Sequence, residues 1–487
     1  MCPRGAVCAV GVSEQPMRIA LVNPVARNTV GYHTSGTRMP PLGLQVLARL
    51  TPAEHTVEII DEVFGTDDTE KFLTARGYDL VGITSYTSSA TRAYELAALC
   101  RRAGVPTIMG GPHAWACPDE AQRYFDSVAV GECDALWPAI LGDLRKGALA
   151  ARYTGELADL SAGLGRADQD IQAINGRYDI ACIQTSRGCP VGCDFCSVTR
   201  FNGPKIRRRN ADDIVDEWNS IRKRFVFVVD DNFYGISPTH AAEAREILQA
   251  IIRRGKRKHW FSQTSLNMGG NVADLKLAHR AGCLAMLVGI ETFDDENLKA
   301  WKKGLNRKIL NDYQSYVDGF HAAGVAVLGA FVIGADNDTQ DTAAETLLRA
   351  VRLGVDIIQV TNLTPLPGTA LYERLLANGR IHAGKYPEDW ERYTFIETVF
   401  RPQRMDPRQL DESMYEMRRL AAGRKWVWKR SIKTLLKTRS LATTLFVHGV
   451  NDGWRRMALA LRTRDEQTFA GTYTPEHRMA ILRKCYA

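Results

Sequence analysis

Two successive series of short β-branched runs, each run followed by a helical pattern, constrain this chain more than any other feature. The first series runs from Met17 to about Leu144. RIALVNP (18–24), TVEIID (56–61), DLVGITSY (79–86), VPTIMGG (105–111) and VAVGE (128–132) read as strands. Between them, PPLGLQVLARL (40–50), DTEKFLTARG (68–77) and Ala90–Ala103 read as helices. Buried strands alternating with helices indicate a doubly wound parallel sheet. Residues 145–178 read as a connector. A second series then starts at DIACIQTS (179–186) and continues through FVFVVDD (225–231), HWFSQTS (259–265), LAMLVGIE (284–291), VAVLGAFVIG (325–334) and VDIIQVTNLTP (355–365). Six strand–helix units make most of an eight-stranded barrel but not all of one. From Asp389 the strands stop, and 389–487 reads as helices rich in Arg, Lys and Trp.

The chain is long enough, at 487 residues, for several cores, and its 45% hydrophobic and 24% charged content is that of a globular protein. No apolar run approaches the roughly 18 residues that span a bilayer. The opening MCPRGAVCAVGVSEQPM reads as a ragged leader over 1–16, with Met17 as the start of the fold. Eleven cysteines, eight of them scattered without pairing rhythm, indicate a reducing, cytoplasmic setting. From Arg401 onward there are 19 Lys and Arg against 8 Asp and Glu, so the tail carries more than the whole net charge of +8.

In a doubly wound sheet, ligands lie beyond the carboxyl ends of the strands. Here those ends are Ser85-Tyr86-Thr87, Gly110-Gly111-Pro112-His113 and Gly131-Glu132. Any one could be an ordinary tight turn; three in register point to a bound cofactor. Directly after the first strand of the second series comes SRGCPVGCDFC (186–196), in which Cys189, Cys193 and Cys196 form C-x3-C-x2-C. Three thiolates on a [4Fe–4S] cube leave one iron open to a small molecule, whereas an electron carrier normally supplies four. A zinc site completed from elsewhere, or three unrelated thiols, are the alternatives.

This motif, with the aromatic Phe195 before its last cysteine, resembles the signature of the radical S-adenosylmethionine (radical SAM) superfamily, over roughly Asp179–Thr369. The resemblance implies a partial (βα)6 TIM-type barrel over 179–388 and the methionine part of SAM as the missing ligand. It further implies reductive cleavage of SAM to a 5′-deoxyadenosyl radical. By position it assigns SAM contacts to Phe195, to Asp230, Asp231 and Asn232 after the second strand, to Glu291 after the fourth, and to Ile333 and Gly334 after the fifth.

An α/β domain ahead of such a barrel resembles the cobalamin-binding subgroup, including the hopanoid C-methylases. MPPLGLQVLA (39–48), FVVDDNF (227–233), FVIGADNDT (331–339) and TPLPGTALYERL (364–375) add to that likeness. It implies an N-terminal Rossmann-like cobalamin-binding domain over 17–144, with Ser85, Tyr86, Thr87, Gly110, Gly111, His113, Gly131 and Glu132 around the corrin. Many cobalamin proteins ligate cobalt through Asp-x-His-x-x-Gly. Here His33-Thr34-Ser35-Gly36 matches only half of it, with Gly31 where the orienting aspartate would be. A base-off corrin with no protein histidine below is the expectation.

The resemblance then implies a cobalamin-dependent C-methyltransferase acting on a small molecule or lipid, with flavodoxin or ferredoxin as electron donor. Oxidative cyclisation or rearrangement with the same cofactors is the alternative. A transfer RNA methylthiotransferase would use three further cluster cysteines; Cys100, Cys117 and Cys133 read better as buried thiols, and no nucleic-acid partner is expected. The basic tail, with Trp426, Trp428 and Trp454, reads as a solvated helical face or as a peripheral contact to a membrane, substrate or carrier protein.

Overall fold

The structure, a computed structural model, describes residues 15–26, 38–66, 68–170 and 178–469. His33 and its half motif lie outside the described residues. The first sheet comprises β1 (Arg18–Asn23), β2 (Thr56–Asp61), β3 (Leu80–Thr84), β4 (Thr107–Gly110), β5 (Ser127–Val130) and β6 (Arg152–Thr154). Its order is β2-β1-β3-β4-β5-β6, all parallel. Apolar runs such as IALV form these strands because helices cover both faces. Ala20 and Val22 pack into one layer with Val81, Ile83 and Met109. Ile19 and Leu21 pack into the other with Leu80, Ile108 and Trp137.

Chain direction away from β1 reverses between β2 and β3, so the crevice beyond Asn23 and Thr84 is the switch point where such sheets take ligands. β6 arises within 145–178, the stretch read as a connector. Its Arg152 and Thr154 are exposed at the sheet edge, so it carries no apolar run to betray it.

The second region opens with β7 (Ala181–Ile183), followed by a small antiparallel pair, β8 (Ser186–Arg187) and β9 (Arg207–Arg208). The series continues with β10 (Phe225–Val228), β11 (His259–Thr264), β12 (Cys283–Glu291), β13 (Ala326–Ile333) and β14 (Ile357–Asn362). The sheet order β14-β13-β12-β11-β10-β7 is parallel throughout and open between its two edge strands, a partial barrel. Helices such as Pro238–Arg254, started by Pro238 and capped by Ser237, cover its outer face. On the opposite face, Ala285, Leu328 and Ile357 pack against Phe446, Val447 and Trp454 of the long helix Leu441–Phe469. No helix among the described residues is long and apolar enough to cross a membrane.

Candidate functional site

A cavity of about 580 Å3 opens between the carboxyl ends of the first sheet and the start of the second. One wall is Asn23, Thr84, Tyr86, Gly110, Gly111, Gly131 and Glu132; the facing wall is Cys182, Gln184, Arg187, Phe227, Val229 and Asp231. An apolar slot runs on from it between Leu21, Gly82, Ile108, Trp137 and Ile140. A Cβ on Gly82 would meet Leu21 Cδ2 at 3.0 Å, so the slot depends on glycine there. At Gly111, φ is +91°, and a Cβ would come within 2.7 Å of Thr84 Oγ1 and 3.0 Å of Ser85 N. Only glycine lets the β4 end approach β3 so closely. Gly131 is forced in the same way against the Gly155 carbonyl.

Tyr86 is 66% exposed, yet surrounding protein pushes its phenol pKa upward, with Cys182 and Asp231 adding negative charge nearby. The two facts agree if the ring faces the cavity rather than the outer surface, and Tyr86 does line the cavity. The other sequence candidates divide. Gly110, Gly111, Gly131 and Glu132 line the cavity, whereas Ser85, Thr87 and His113 are buried and do not. His113 makes its side-chain contacts away from the cavity lining. Its ring is fully buried, with Nε2 3.0 Å from Tyr94 Oη, Nδ1 3.4 Å from Thr87 Oγ1, and Trp390 at its edge. It ties the 388–393 turn to the first domain. Ser85 Oγ is likewise spent on the Tyr86 carbonyl at 2.7 Å.

The cysteine loop is held from several sides. Gly188 has φ +98° and would clash with the Lys205 carbonyl if it bore a side chain. Its N–H donates to Asp231 at 2.7 Å, and Cys189 N–H donates to the Gly203 carbonyl at 3.1 Å. Asp194 pairs with Lys302 at 2.8 Å and Arg374 at 3.1 Å. Burial pushes the Cys189 thiol up, Cys193 to about 11 and Cys196 to about 12. Cys193 feels the Cys189 thiol and Cys196 feels both others, which places the three in one neighbourhood. Among the described residues no three His, Cys, Asp or Glu side chains are placed to hold a single metal ion.

Opposing the burial is Lys303, which sequence reasoning missed. It is buried, and Nζ sits 2.7 Å from Glu291 Oε1. Burial lowers its pKa, but Glu291 and the thiols of Cys193 and Cys196 outweigh that, and the net shift is upward. Glu291 itself stands at φ +68° where β12 bulges against β13. A left-handed backbone at a non-glycine residue costs on the order of 1 kcal/mol or more and marks a constrained site. The donor set (three half-buried thiols, one buried cation, and a carboxylate held in strain) fits an iron–sulfur cluster with an amino acid moiety beside it.

The remaining SAM candidates are placed as follows. Asp230 accepts from Thr185 N at 2.7 Å, Ser186 N at 3.0 Å, Ser186 Oγ at 2.8 Å and also Thr185 Oγ1. Both its oxygens are engaged, so it fastens the strand entering the loop instead of facing a ligand. Asp231 lines the cavity; burial raises its pKa to about 6 despite Gly188 N–H and Asn202. Asn232 donates to Ser265 Oγ at 2.8 Å and holds its amide 4.0 Å from Cys189 Sγ. Phe195 packs edge-on to Trp301 at 5.2 Å. Ile333 is buried in the barrel wall, and the Cβ side of Gly334 is closed by Leu410, Leu363 and Phe400. On that side adenine would have no room.

Arg187 joins the two regions. From within the cysteine motif it donates to Asp134 at 2.7 and 3.1 Å and to Glu132 at 3.0 Å. Arg207 also pairs with Glu132. Glu132, expected at the corrin, thus both lines the cavity and anchors two arginines.

Comparison with known proteins accords with this geometry. Residues 28–141 match the B12 binding domain family and residues 183–318 the radical SAM superfamily. The chain is 28% identical over 412 residues to bacteriochlorophyllide d C-12(1)-methyltransferase of Chlorobaculum tepidum, covering 82% of this chain and 86% of the relative. It is 27% identical over 365 residues to hopanoid C-2 methylase of Rhodopseudomonas palustris, covering 70% and 65%. In fold it resembles the radical S-adenosylmethionine methyltransferase TsrM of Kitasatospora setae, with a TM-score of 0.62 at 18% identity over 75% of each chain. It also resembles the cobalamin-dependent S-adenosylmethionine radical enzyme OxsB, with a TM-score of 0.64 at 16% identity over 97% of this chain and 84% of that one. The chain is therefore a radical SAM enzyme of the subgroup that carries a B12-binding domain ahead of its partial barrel.

Proposed function

We propose that the chain is a C-methyltransferase that moves a methyl group to an unactivated carbon of a small molecule or lipid. The observation that carries this reading is the shared cavity, in which the switch point of a B12-binding sheet faces the strand that enters the cysteine loop. The curated relatives named for methyl transfer support it. Cys189, Cys193 and Cys196 would hold three irons of a [4Fe–4S] cluster, with Asn232 and Lys303 beside them. Glu291 and Lys303 would receive the charged end of SAM. Gly110, Gly111 and Gly131 would let a corrin lie against backbone, with its tail in the slot beside Gly82 and Trp137.

Bound there, the cluster and SAM supply a 5′-deoxyadenosyl radical and the corrin supplies a methyl group. The chain's own part is to seat these reactants on either side of one chamber and keep water from it. Among the polar groups on the chamber wall, Asp231 and Tyr86 would orient a substrate. A low-potential donor such as flavodoxin or ferredoxin, in a reducing cytoplasm, would supply electrons.

Anaerobic protein reconstituted with iron, sulfide and cobalamin is incubated with SAM, reductant and candidate substrates. Methyl transfer by this route releases 5′-deoxyadenosine and S-adenosylhomocysteine in equal amounts. Deoxyadenosine with a changed substrate and no S-adenosylhomocysteine would replace it with cyclisation or rearrangement.

A further inference from the structure

At the far end of the barrel from the cysteine loop, the helices Arg424–Thr438 and Leu441–Phe469 form an antiparallel hairpin. Its inner side is fixed to the loops entering β13 and β14. Thr443 Oγ1 donates to the Gly324 carbonyl at 2.8 Å, Asn451 Nδ2 to the Asp356 carbonyl at 3.0 Å, and Lys433 Nζ to the Val351 carbonyl at 3.0 Å. Its outer side is apolar. Trp428, Ile432, Leu435 and Leu436 on one helix and Leu441 and Leu445 on the other are 40–72% exposed. The spacing 428, 432, 436 puts one row along the first helix. The Trp428 and His448 rings, 4.6 Å apart, set the second row beside it. Large apolar side chains in a continuous exposed patch mark an interaction surface.

Charge narrows the partner. On the first helix Arg424, Lys425 and Lys429 are exposed, Arg430 is buried, Lys433 and Lys437 reach inward to the Val351 carbonyl and Asp318, and there is no acidic residue. A second feature lies at the end of the apolar rows: a pocket of about 290 Å3 lined by Arg424, Val427, Trp428, His448, Asp452 and Arg455. Arg455 donates to Asp452 at 2.7 Å, which holds its guanidinium at the pocket wall. Two arginines, one of them paired with Asp452, stand with an indole and an imidazole around a headgroup-sized space, next to side chains suited to acyl chains. We propose that this hairpin docks on an anionic phospholipid bilayer, with leucines and Trp428 in the interface and a lipid phosphate in the arginine pocket. The contact tethers the enzyme; it lies at the opposite end of the barrel from the chamber and is independent of the reaction proposed above.

The test is flotation of the full reconstituted chain with vesicles of phosphatidylcholine alone and of phosphatidylcholine mixed with phosphatidylglycerol. Binding is expected to the mixed vesicles, to weaken as salt rises, and to survive added glycerol phosphate. Ile432→Glu with Leu436→Glu should weaken it by about tenfold or more, and Arg424→Gln with Arg455→Gln should erase the preference for the anionic lipid. Both variants should keep wild-type deoxyadenosine formation, which separates this result from the function above. No binding to either vesicle overturns the proposal. So does full displacement by glycerol phosphate, which would make the pocket a site for a soluble phosphate. A light-scattering mass that falls from dimer to monomer in the glutamate variant, without vesicle binding, would assign the patch to a second copy of the chain.

Discussion

Arg187, two residues before the first cluster cysteine, grips Asp134 at the end of the first sheet through both terminal nitrogens, at 2.7 and 3.1 Å. Both side chains are buried, so the bridge fixes the cysteine loop relative to the cavity's other wall. Burial alone would lower the Arg187 pKa, but Asp134 and Glu132 outweigh it and hold the guanidinium charged.

Cutting that bridge should cost more than a surface pair would, because a charge is left buried without its partner. Arg187→Met is expected to lose about 3 kcal/mol of stability, read from denaturant melts, and to shed cobalamin on gel filtration. The double variant Arg187→Met with Asp134→Leu should recover part of the loss. A loss within about 0.5 kcal/mol for the single variant would mean that the bridge does not hold the halves together.

Two neighbouring glycines separate structural need from ligand contact. Gly111→Ala forces a Cβ against Thr84 and Ser85 at positive φ and should destabilise the protein by about 2 kcal/mol or more. Gly110→Ala meets only Cys133 Sγ, at 4.0 Å, so the melting curve should stay near wild type. Its new methyl group stands on the cavity wall, and cobalamin affinity, followed by absorbance titration, should fall. Equal affinity for Gly110→Ala and wild type would remove β4 from the corrin site.

Lys303 is expected to ease formation of the cluster thiolates. Its charge opposes the upward shift that burial imposes on all three thiols. Lys303→Met should therefore bind less iron per chain at pH 7.5 and recover as the reconstitution pH is raised. Iron and sulfide assays across pH check this, with circular dichroism to confirm folding. Unchanged iron loading at every pH would leave Lys303 only its pairing with Glu291.

Asp231 gives a pH dependence with a definite sign. Burial raises its folded pKa to about 6 from the model-peptide value of 3.8. The folded state therefore holds a proton there that the unfolded chain releases across that interval. The cost of ionising it is absent below the unfolded pKa and fully present above the folded one. The stability of Asp231→Asn relative to wild type should rise between about pH 4 and pH 6 and level off above, by on the order of 1–3 kcal/mol. A difference that stays flat over this range would mean that Asp231 ionises normally.

The strands were legible because a parallel strand buried on both faces must be a short apolar run, as RIALVN and CLAMLVGIE are. β6 was not, since a short edge strand with Arg152 outward obeys no such rule. The cysteine loop was legible from its spacing, its place directly after a strand and its likeness to the radical SAM signature. Lys303 was hidden in a run, Trp301-Lys302-Lys303, that reads as solvated surface; in the fold it is buried and paired with Glu291. Asp230 and Asp231 are adjacent in sequence, yet one fastens the entry to the loop and the other faces the chamber. Nothing in the order of residues says which is which. Arg187 and Asp134 stand 53 residues apart, a separation that no local pattern bridges.

The central claim, that the two-walled chamber transfers a methyl group to carbon, is tested most directly with methyl-deuterated SAM. The reconstituted enzyme is incubated anaerobically with it, reductant and extract of its source cells, and products are resolved by mass spectrometry. The expected product is a small molecule or lipid that gains a trideuteromethyl group, together with deoxyadenosine and S-adenosylhomocysteine. Deoxyadenosine alongside a changed product that carries no deuterium would contradict it.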